Sequence, residues 1–441
     1  MKTFGIWMFA LLAMAAPSGL WAQSPPTDTL SLDEVVGEVL RHNDALKAAA
    51  FMEEAARRQV GPAGAWDDPM LMLGIENLPS SLRFDEEMMT MKAVGLSQRI
   101  PYAGEKGLQA KAQRAEAEAT GEDRRQKTLD LVAAAKTAYA ELYYHQQLID
   151  DLERQRELAE QIATSVRSRL EANLAGQDEL NAALATMWRL EAEILTHHND
   201  AHSAHHRLDA LRGVVSPDDM PAVVRPAWGA LPDTFQVWLD SARTHYAPLR
   251  AMAQRAERYR LSARASRRMS WPMLELSAEY GIRDDLRLAD GERMAQSDMW
   301  SFGATFSLPV FRGRNERQMA LSMTAMQKQM EAEAAQLAKE VDAALRTLHM
   351  RAGHFQEAGA LYRERIIPAD EDAFRTALAG YAAGRTSLPD LLNYAAAIFA
   401  DRRVLTELEL AYATALIEAE RYTADPGRYV SPADNGNEET Q

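Results

Sequence analysis

Two hydrophobic patterns take turns along this chain, one with a period of two and one with the period of a helix. Leu274, Leu276, Ala278, Tyr280 and Ile282 alternate with Glu275, Ser277, Glu279 and Gly281. Further on, Trp300, Phe302, Ala304, Phe306 and Leu308 alternate with Ser301, Gly303, Thr305 and Ser307. Successive strand side chains point to opposite faces, so both runs predict strands with one apolar face. Each run is about 9–11 residues, the length a tilted strand needs to cross a membrane. The polar stretch from Asp284 to Ser297 then reads as an exterior loop. A pair nearer the N-terminus is less regular. Leu71, Leu73 and Ile75 alternate with Met72, Gly74 and Glu76, while the stretch 90–100 puts Lys92 and Gln98 in register with Val94 and Leu96. Lys92 can snorkel at a membrane edge.

The helical period rules elsewhere. Segments 31–62 and 234–269 each precede a strand pair, the first with Ser31 or Thr29 as N-cap and Asp33 and Glu34 in its first turn. Gly104 to Asn173 holds no proline, and seventy residues of helix span about 105 Å. Its partner, 313–381, carries Pro368, which predicts a kink or local bend. Breaks at 174–178 and 382–387 are followed by helices over 178–212 and 388–423. These are two helical hairpins with tight tips, long enough to require coiled-coil packing.

The chain also says the same thing twice. Pro69-Met70-Leu71-Met72-Leu73 returns as Pro272-Met273-Leu274-Glu275-Leu276, and Glu54 and Arg57 return as Glu257 and Arg260, all 203 residues later. Ala175-Gly176 with Leu180 returns as Ala383-Gly384 with Leu388, now 208 residues later. A unit this long is half of an architecture rather than a solenoid repeat. The expected organisation is a signal peptide over 1–22, a first repeat over 23–213 with its strand hairpin near 68–100, and a proline-rich linker over 214–233. A second repeat over 234–424, with its hairpin near 272–310, and a disordered tail over 425–441 complete it. The signal assignment rests on Lys2, the apolar run Phe4–Ala16 and a small residue before Gln23.

Composition narrows the setting. The formal net charge of −15, about −16 once Lys2 is removed, argues against nucleic acid or an anionic membrane surface as partner. The absence of Cys removes disulfides and thiolate metal sites. Beyond the signal there is no run of 18 apolar residues, which excludes a transmembrane helix but not a transmembrane barrel. Four strands cannot close a barrel, and an open edge has no hydrogen-bond partner in hydrocarbon. Other copies must supply the missing strands. Two is the lower bound, and three suits a conducting lumen better.

The residues Leu96-Ser-Gln-Arg-Ile-Pro-Tyr-Ala-Gly104-Glu-Lys106, Phe306-Ser-Leu-Pro-Val-Phe-Arg-Gly313 and Tyr381-Ala-Ala-Gly384-Arg-Thr-Ser387-Leu-Pro-Asp390-Leu391 resemble the TolC family of outer-membrane channel proteins. The resemblance covers nearly all of the mature chain. It implies an α+β membrane protein, a homotrimer with a twelve-stranded outer-membrane β-barrel, four strands per chain, continued by a long periplasmic α-helical barrel. It also implies a Gram-negative outer-membrane location among its lipids, docking to a periplasmic adaptor, and an inner-membrane pump of the RND type. Asp68-Pro69-Met70, Glu76-Asn77-Leu78-Pro79 and Met88-Met89-Thr90-Met91 before Ser97-Gln98 resemble the heavy-metal branch, of the CusC and CzcC kind.

Candidate site residues follow. Gly176, Gln177, Gly384, Thr386 and Ser387 lie at the tips, where the resemblance implies adaptor contact and simple turn chemistry is the plainer reading. Asp390, beside Asn393, would form a carboxylate ring around a threefold axis, although it could equally favour a helix N-terminus. Its counterpart 208 residues earlier is Ala182, with Asp178 and Glu179 nearer the turn. Arg385 could pair with an acid across a closed tip. Five of the ten His fall between 197 and 206. His198, His202 and either His205 or His206 share a helical face at a spacing that suits a soft or borderline divalent metal, against the plainer reading of a solvated polar face. No cofactor is implied. There is no His-Glu-x-x-His, no phosphate-cradling Gly-Lys loop and no Cys nucleophile, so an enzyme is not expected. The leading reading is an exit duct for metal cations. Its rivals are the same duct for drugs or secreted protein, and a coiled-coil scaffold without a pore.

Overall fold

The computed structural model describes residues 29–429 apart from 102–103, 216–219, 270, 289, 309 and 312–313. The expected signal peptide lies outside the described residues, as does the expected tail from 430 onward.

Helices α1 (Leu32–His42), α2 (Asp44–Arg58) and the short α3 (Val60–Gly64) replace the single helix expected over 31–62. Ser31 and Glu34 cap α1 reciprocally, each side chain bonding the other's backbone. The break at Asn43 is made by its side chain. Oδ1 accepts from the N–H of Ala45 and Leu46, while Nδ2 donates to the Leu211 carbonyl at 2.8 Å. In the second half, α6 (Phe235–His245) and α7 (Ala247–Arg268) break at Tyr246 with a similar extended backbone but no side-chain cap, Pro248 entering the first turn of α7.

Strands β1 (Met70–Glu76), β2 (Met91–Ile100), β3 (Leu274–Ile282) and β6 (Met299–Phe306) form one antiparallel sheet in that order. A two-residue pair, β4 (Leu286–Arg287) and β5 (Arg293–Met294), occupies the stretch expected to be plain loop. The register is the one alternation predicts. Leu71 faces Leu96, Leu96 faces Ala278 and Ala278 faces Phe302, with Leu73, Val94, Tyr280 and Trp300 in the next row. Leu73, Trp300 and Phe302 are 71%, 63% and 78% exposed, far beyond what a water-facing sheet tolerates. Lys92 shares this face at its loop end. It pairs with Asp284 at 2.9 Å and lies over the Phe84 ring. The outer edges of β1 and β6 have no partner among the described residues.

The two long hairpins are α4 (Glu105–Glu171) with α5 (Gln177–Arg212), and α8 (Glu316–Leu361) with α9 (Ile367–Ala382) and α10 (Leu388–Thr423). At 67 residues, α4 spans about 100 Å. A π-helical turn over Tyr362–Ile366 joins α8 to α9 just before Pro368, whose missing N–H cannot sustain the regular ladder. The second hairpin begins and ends 211 residues after the first (105 to 316, 171 to 382, 177 to 388, 212 to 423). The Pro69 and Pro272 motifs that lead into β1 and β3 keep the spacing of 203, so the eight extra residues sit between β3 and α8, not at the tips.

Each half has its own waist core. Val35, Val39, Tyr139, Leu142 and Leu208 bury together in the first, and Leu239, Ala242, Val341, Leu345 and Ala419 in the second. The linker straps the first core, since Leu30 bridges Val223 and the Tyr139 hydroxyl reaches the Leu30 and Val224 carbonyls at 2.8 and 2.6 Å. Burial pushes that phenol up to about 12. Pro426–Tyr429, the start of the segment expected to be disordered, is a 3₁₀ turn whose Tyr429 hydroxyl donates to Glu420.

Candidate functional site

Both tips are built by one device. At the first, Leu174 N–H bonds the Arg169 carbonyl at 2.7 Å and Asn173 N–H the Leu170 carbonyl at 2.9 Å, with Asn173 left-handed at φ 59°. At the second, Arg385 N–H bonds Gly380 at 2.8 Å and Gly384 N–H bonds Tyr381 at 3.0 Å, with Gly384 at φ 69°. This is the Schellman C-cap, drawn once with Asn and once with Gly. Gly384 therefore matches Asn173 rather than Gly176, which is extended (φ −90°, ψ 158°) and serves as an N-cap equivalent to Ser387. The correction moves the acids too. Asp390 is the third residue of α10 and its counterpart is Glu179, third in α5, not Ala182.

The tips are joined by a core in which Ile162, Val166, Leu180, Tyr381, Leu388 and Leu391 come together. Arg169 lies over the Tyr381 ring, 4.5 Å from its centroid. Ser387 caps α10, its Oγ accepting from the Asp390 N–H at 3.3 Å and donating to the Asp390 carboxylate at 2.6 Å. Gln177 donates to Asn181 at 3.2 Å. Asp178, Asn393 and Arg385 are exposed, and Arg385 has no ion-pair partner among the described residues of the protomer. Gly384, Ser387 and Gln177 are exposed as well, with Thr386 and Gly176 half-buried.

The predicted histidine quartet does not converge. His205, 1% exposed, stands 3.4 Å from Asp209 and near His206, and His202 reaches only His206, at a ring separation of 6.3 Å. His198 joins neither group. A single face of one helix spreads its side chains along the axis, whereas metal ligands must meet at a point. Besides His205, His206 and Asp209, a second convergent group uses a residue the sequence reading left out. His197 Nδ1 lies 3.2 Å from Nδ1 of His145 on α4, with Asp200 alongside. His145 lies 26 residues before the end of α4 and His197 20 residues after the start of α5, so counting from the turn would not have paired them. Burial, then the neighbouring His197, lowers the His145 pKa, leaving a neutral ring. His205 is lowered by burial, against the pull of Asp209. A further acid pair escaped sequence reading altogether. Asp401 on α10 is pushed up to about 6 by its hydrogen bond with Asp370 on α9, then by burial.

Residues 35–214 and 238–423 match the family described as outer membrane efflux protein, one block per repeat. The chain belongs to the outer membrane efflux protein family. Members of this family are transport proteins rather than enzymes, homotrimeric outer-membrane channels of Gram-negative bacteria that work with an adaptor and an inner-membrane pump. No curated protein matches the chain in sequence. Solved structures do match in fold. CusC is 18% identical, with 89% of this chain and 91% of that one covered at a TM-score of 0.73. VceC of Vibrio cholerae is 18% identical, with 89% and 96% covered at 0.72. MtrE of Neisseria gonorrhoeae, in its open state, is 16% identical, with 89% and 88% covered at 0.73. The fold of this efflux protein is one third of a trimeric twelve-stranded barrel continued by a helical tunnel, with an internal twofold repeat. No described helix is long and apolar enough to cross a membrane.

Proposed function

We propose that the protein is the exit duct of a tripartite efflux system, passing substrate from an inner-membrane pump and a periplasmic adaptor to the exterior, with heavy-metal cations as cargo. The observation that carries the duct is the sheet. Its apolar face is exposed and both its edges are unpaired, so it is stable in a bilayer only when copies of the chain close it. The cargo rests on the resemblance of the first strand hairpin to the heavy-metal branch. The tip residues Gly176, Gln177, Gly384, Thr386 and Ser387 are proposed to meet the adaptor. Asp390 and Glu179, each one turn into a returning helix, would set two carboxylates per protomer at one level of the closed end. Arg385, exposed at the second tip, is proposed to pair with an acid across the closed end, and Asp178, exposed at the first, to take part in the same gate.

Purified protein tests the duct directly. A heat-sensitive trimer from outer membranes that conducts ions in planar bilayers is expected, and a monomer or a non-conducting trimer would overturn the proposal. The cargo is tested in the native host by deleting the gene. Lowered tolerance to copper, silver, zinc or cobalt is expected, and unchanged metal tolerance with raised dye sensitivity would reassign the cargo to drugs.

A further inference from the structure

The meeting of His145 and His197 has no explanation in the repeat. The positions 211 residues later are Gln356, Leu408 and Ala411, so the second hairpin packs at this level without the two imidazoles or Asp200. The donors are therefore not needed to hold two such helices together. Their geometry is that of ligands. The Nδ1 atoms lie 3.2 Å apart, and two nitrogens on one tetrahedral zinc, each about 2.0–2.1 Å from it, are separated by about 3.3 Å. The rings are tilted by 33° with centroids 5.4 Å apart, so the contact is made by the nitrogens rather than by stacked faces. One carboxylate oxygen of Asp200 completes the group, with all three ligand atoms within 4.8 Å of one another.

We propose that His145, His197 and Asp200 bind a borderline divalent transition-metal cation that staples the two limbs of the first helical hairpin at mid-length. Two imidazoles and a carboxylate suit zinc or copper and not magnesium or calcium, which take oxygen ligands. All three residues are half-buried, which limits how far solvent screens the cation's attraction for Asp200 without sealing the site. His197 also borders a cavity of about 210 Å³ between α4, α5 and α10, lined by Leu148, Gln155, Glu193 and Leu392. That cavity leaves room for the water that fills a fourth coordination position. The other histidine group is the poorer site, since Arg212 already holds Asp209 at 2.9 Å and a cation would have to displace it. The staple is independent of the proposed cargo, because a structural ion need not be the ion transported.

Tag-free trimer, stripped with a chelator and titrated with Zn²⁺ against a chromophoric competitor, is expected to bind one equivalent per protomer. His145→Gln and His197→Gln should each weaken binding at least about tenfold, given that even second-shell changes cost 10–100-fold. His198→Gln and His202→Gln should leave it unchanged. Zinc should raise the melting midpoint of the wild-type trimer and leave that of His145→Gln unmoved. Co²⁺ added to the unmutated protein gives a check that needs no variant, expected as the intense visible bands of a four-coordinate ion. Absence of zinc binding or of those bands, full affinity in His145→Gln, or loss of binding in His198→Gln would overturn the proposal.

Discussion

Replacing Gly384 by Ala isolates the backbone of the second tip. A Cβ built at Gly384 meets nothing within 4 Å, so the substitution introduces no clash, only a side chain at φ 69°. The left-handed conformation costs a residue with a Cβ about 1–2 kcal/mol. Stiffening of the unfolded chain returns about 0.4–1 kcal/mol. The net loss is about 1 kcal/mol per protomer, a factor of about five in the closed-to-open ratio of the turn. Gly384→Asn should cost far less, because Asn173 holds the same position in the first tip at φ 59°. Hydrogen exchange of peptides spanning 377–391 reads this locally, with about fivefold faster exchange expected in Gly384→Ala and near wild-type exchange in Gly384→Asn. Unchanged exchange in Gly384→Ala would refute the backbone argument. Equal cost from Asn and Ala would show instead that glycine is needed for the close approach of another surface.

Three further outcomes follow from the packing. Asp401 titrates near 6 instead of 3.8, so the protonated pair stabilises α9 on α10 fully below about pH 4 and loses that contribution as pH rises through about 6. Asp401→Asn should therefore gain about 1 kcal/mol over wild type at pH 7, after discounting for solvent, and match it near pH 4; parallel melting curves across that range would contradict this. Tyr139→Phe removes the hydroxyl that ties α4 to the linker strap and should lower stability by about 1 kcal/mol in denaturant titration, an unaltered midpoint being the adverse result. Glu53, 8% exposed, bridges Arg57 at 2.6 Å and Arg124 at 2.5 Å. Glu53→Ala takes away the buried carboxylate that ties α2 to α4 and should cost about 1–2 kcal/mol, discounted because Arg57 stays solvent-exposed, with Glu53→Gln milder; equal melting of both variants and wild type would rule the bridge unimportant.

What the sequence made legible is whatever a period can carry. Alternation from Leu274 to Ile282 and from Trp300 onward places one apolar face, and keeping those faces together excludes every odd slip of register, as the observed pairing of Ala278 with Phe302 respects. Proline-free stretches marked the long helices, and Pro368 marked their one irregular turn. The breaks at Asn43 and Tyr246 were invisible because the helical period runs through them. Asn43 ends α1 by bonding Leu211, 168 positions away in the chain, a contact no local pattern encodes. His145 was missed for the same reason, since a helix face read alone cannot show what the opposite limb contributes.

The displaced repeat is the sharper case. Matching Ala175-Gly176 to Ala383-Gly384 by residue identity gives a spacing of 208, whereas matching by backbone gives 211. Both tips need one left-handed residue at C′, and Asn and Gly each satisfy it, so the physical requirement is repeated while the letter is not. With the halves aligned by requirement, Asp390 gains a carboxylate counterpart in Glu179, while Arg385 stands where the first tip has Leu174 and Asp178 where the second has Pro389. A further asymmetry lies at mid-helix, where His145, His197 and Asp200 answer to Gln356, Leu408 and Ala411 in the other copy. The backbone requirement is thus met in both halves, whereas the proposed metal staple belongs to only one of the two hairpins of each protomer.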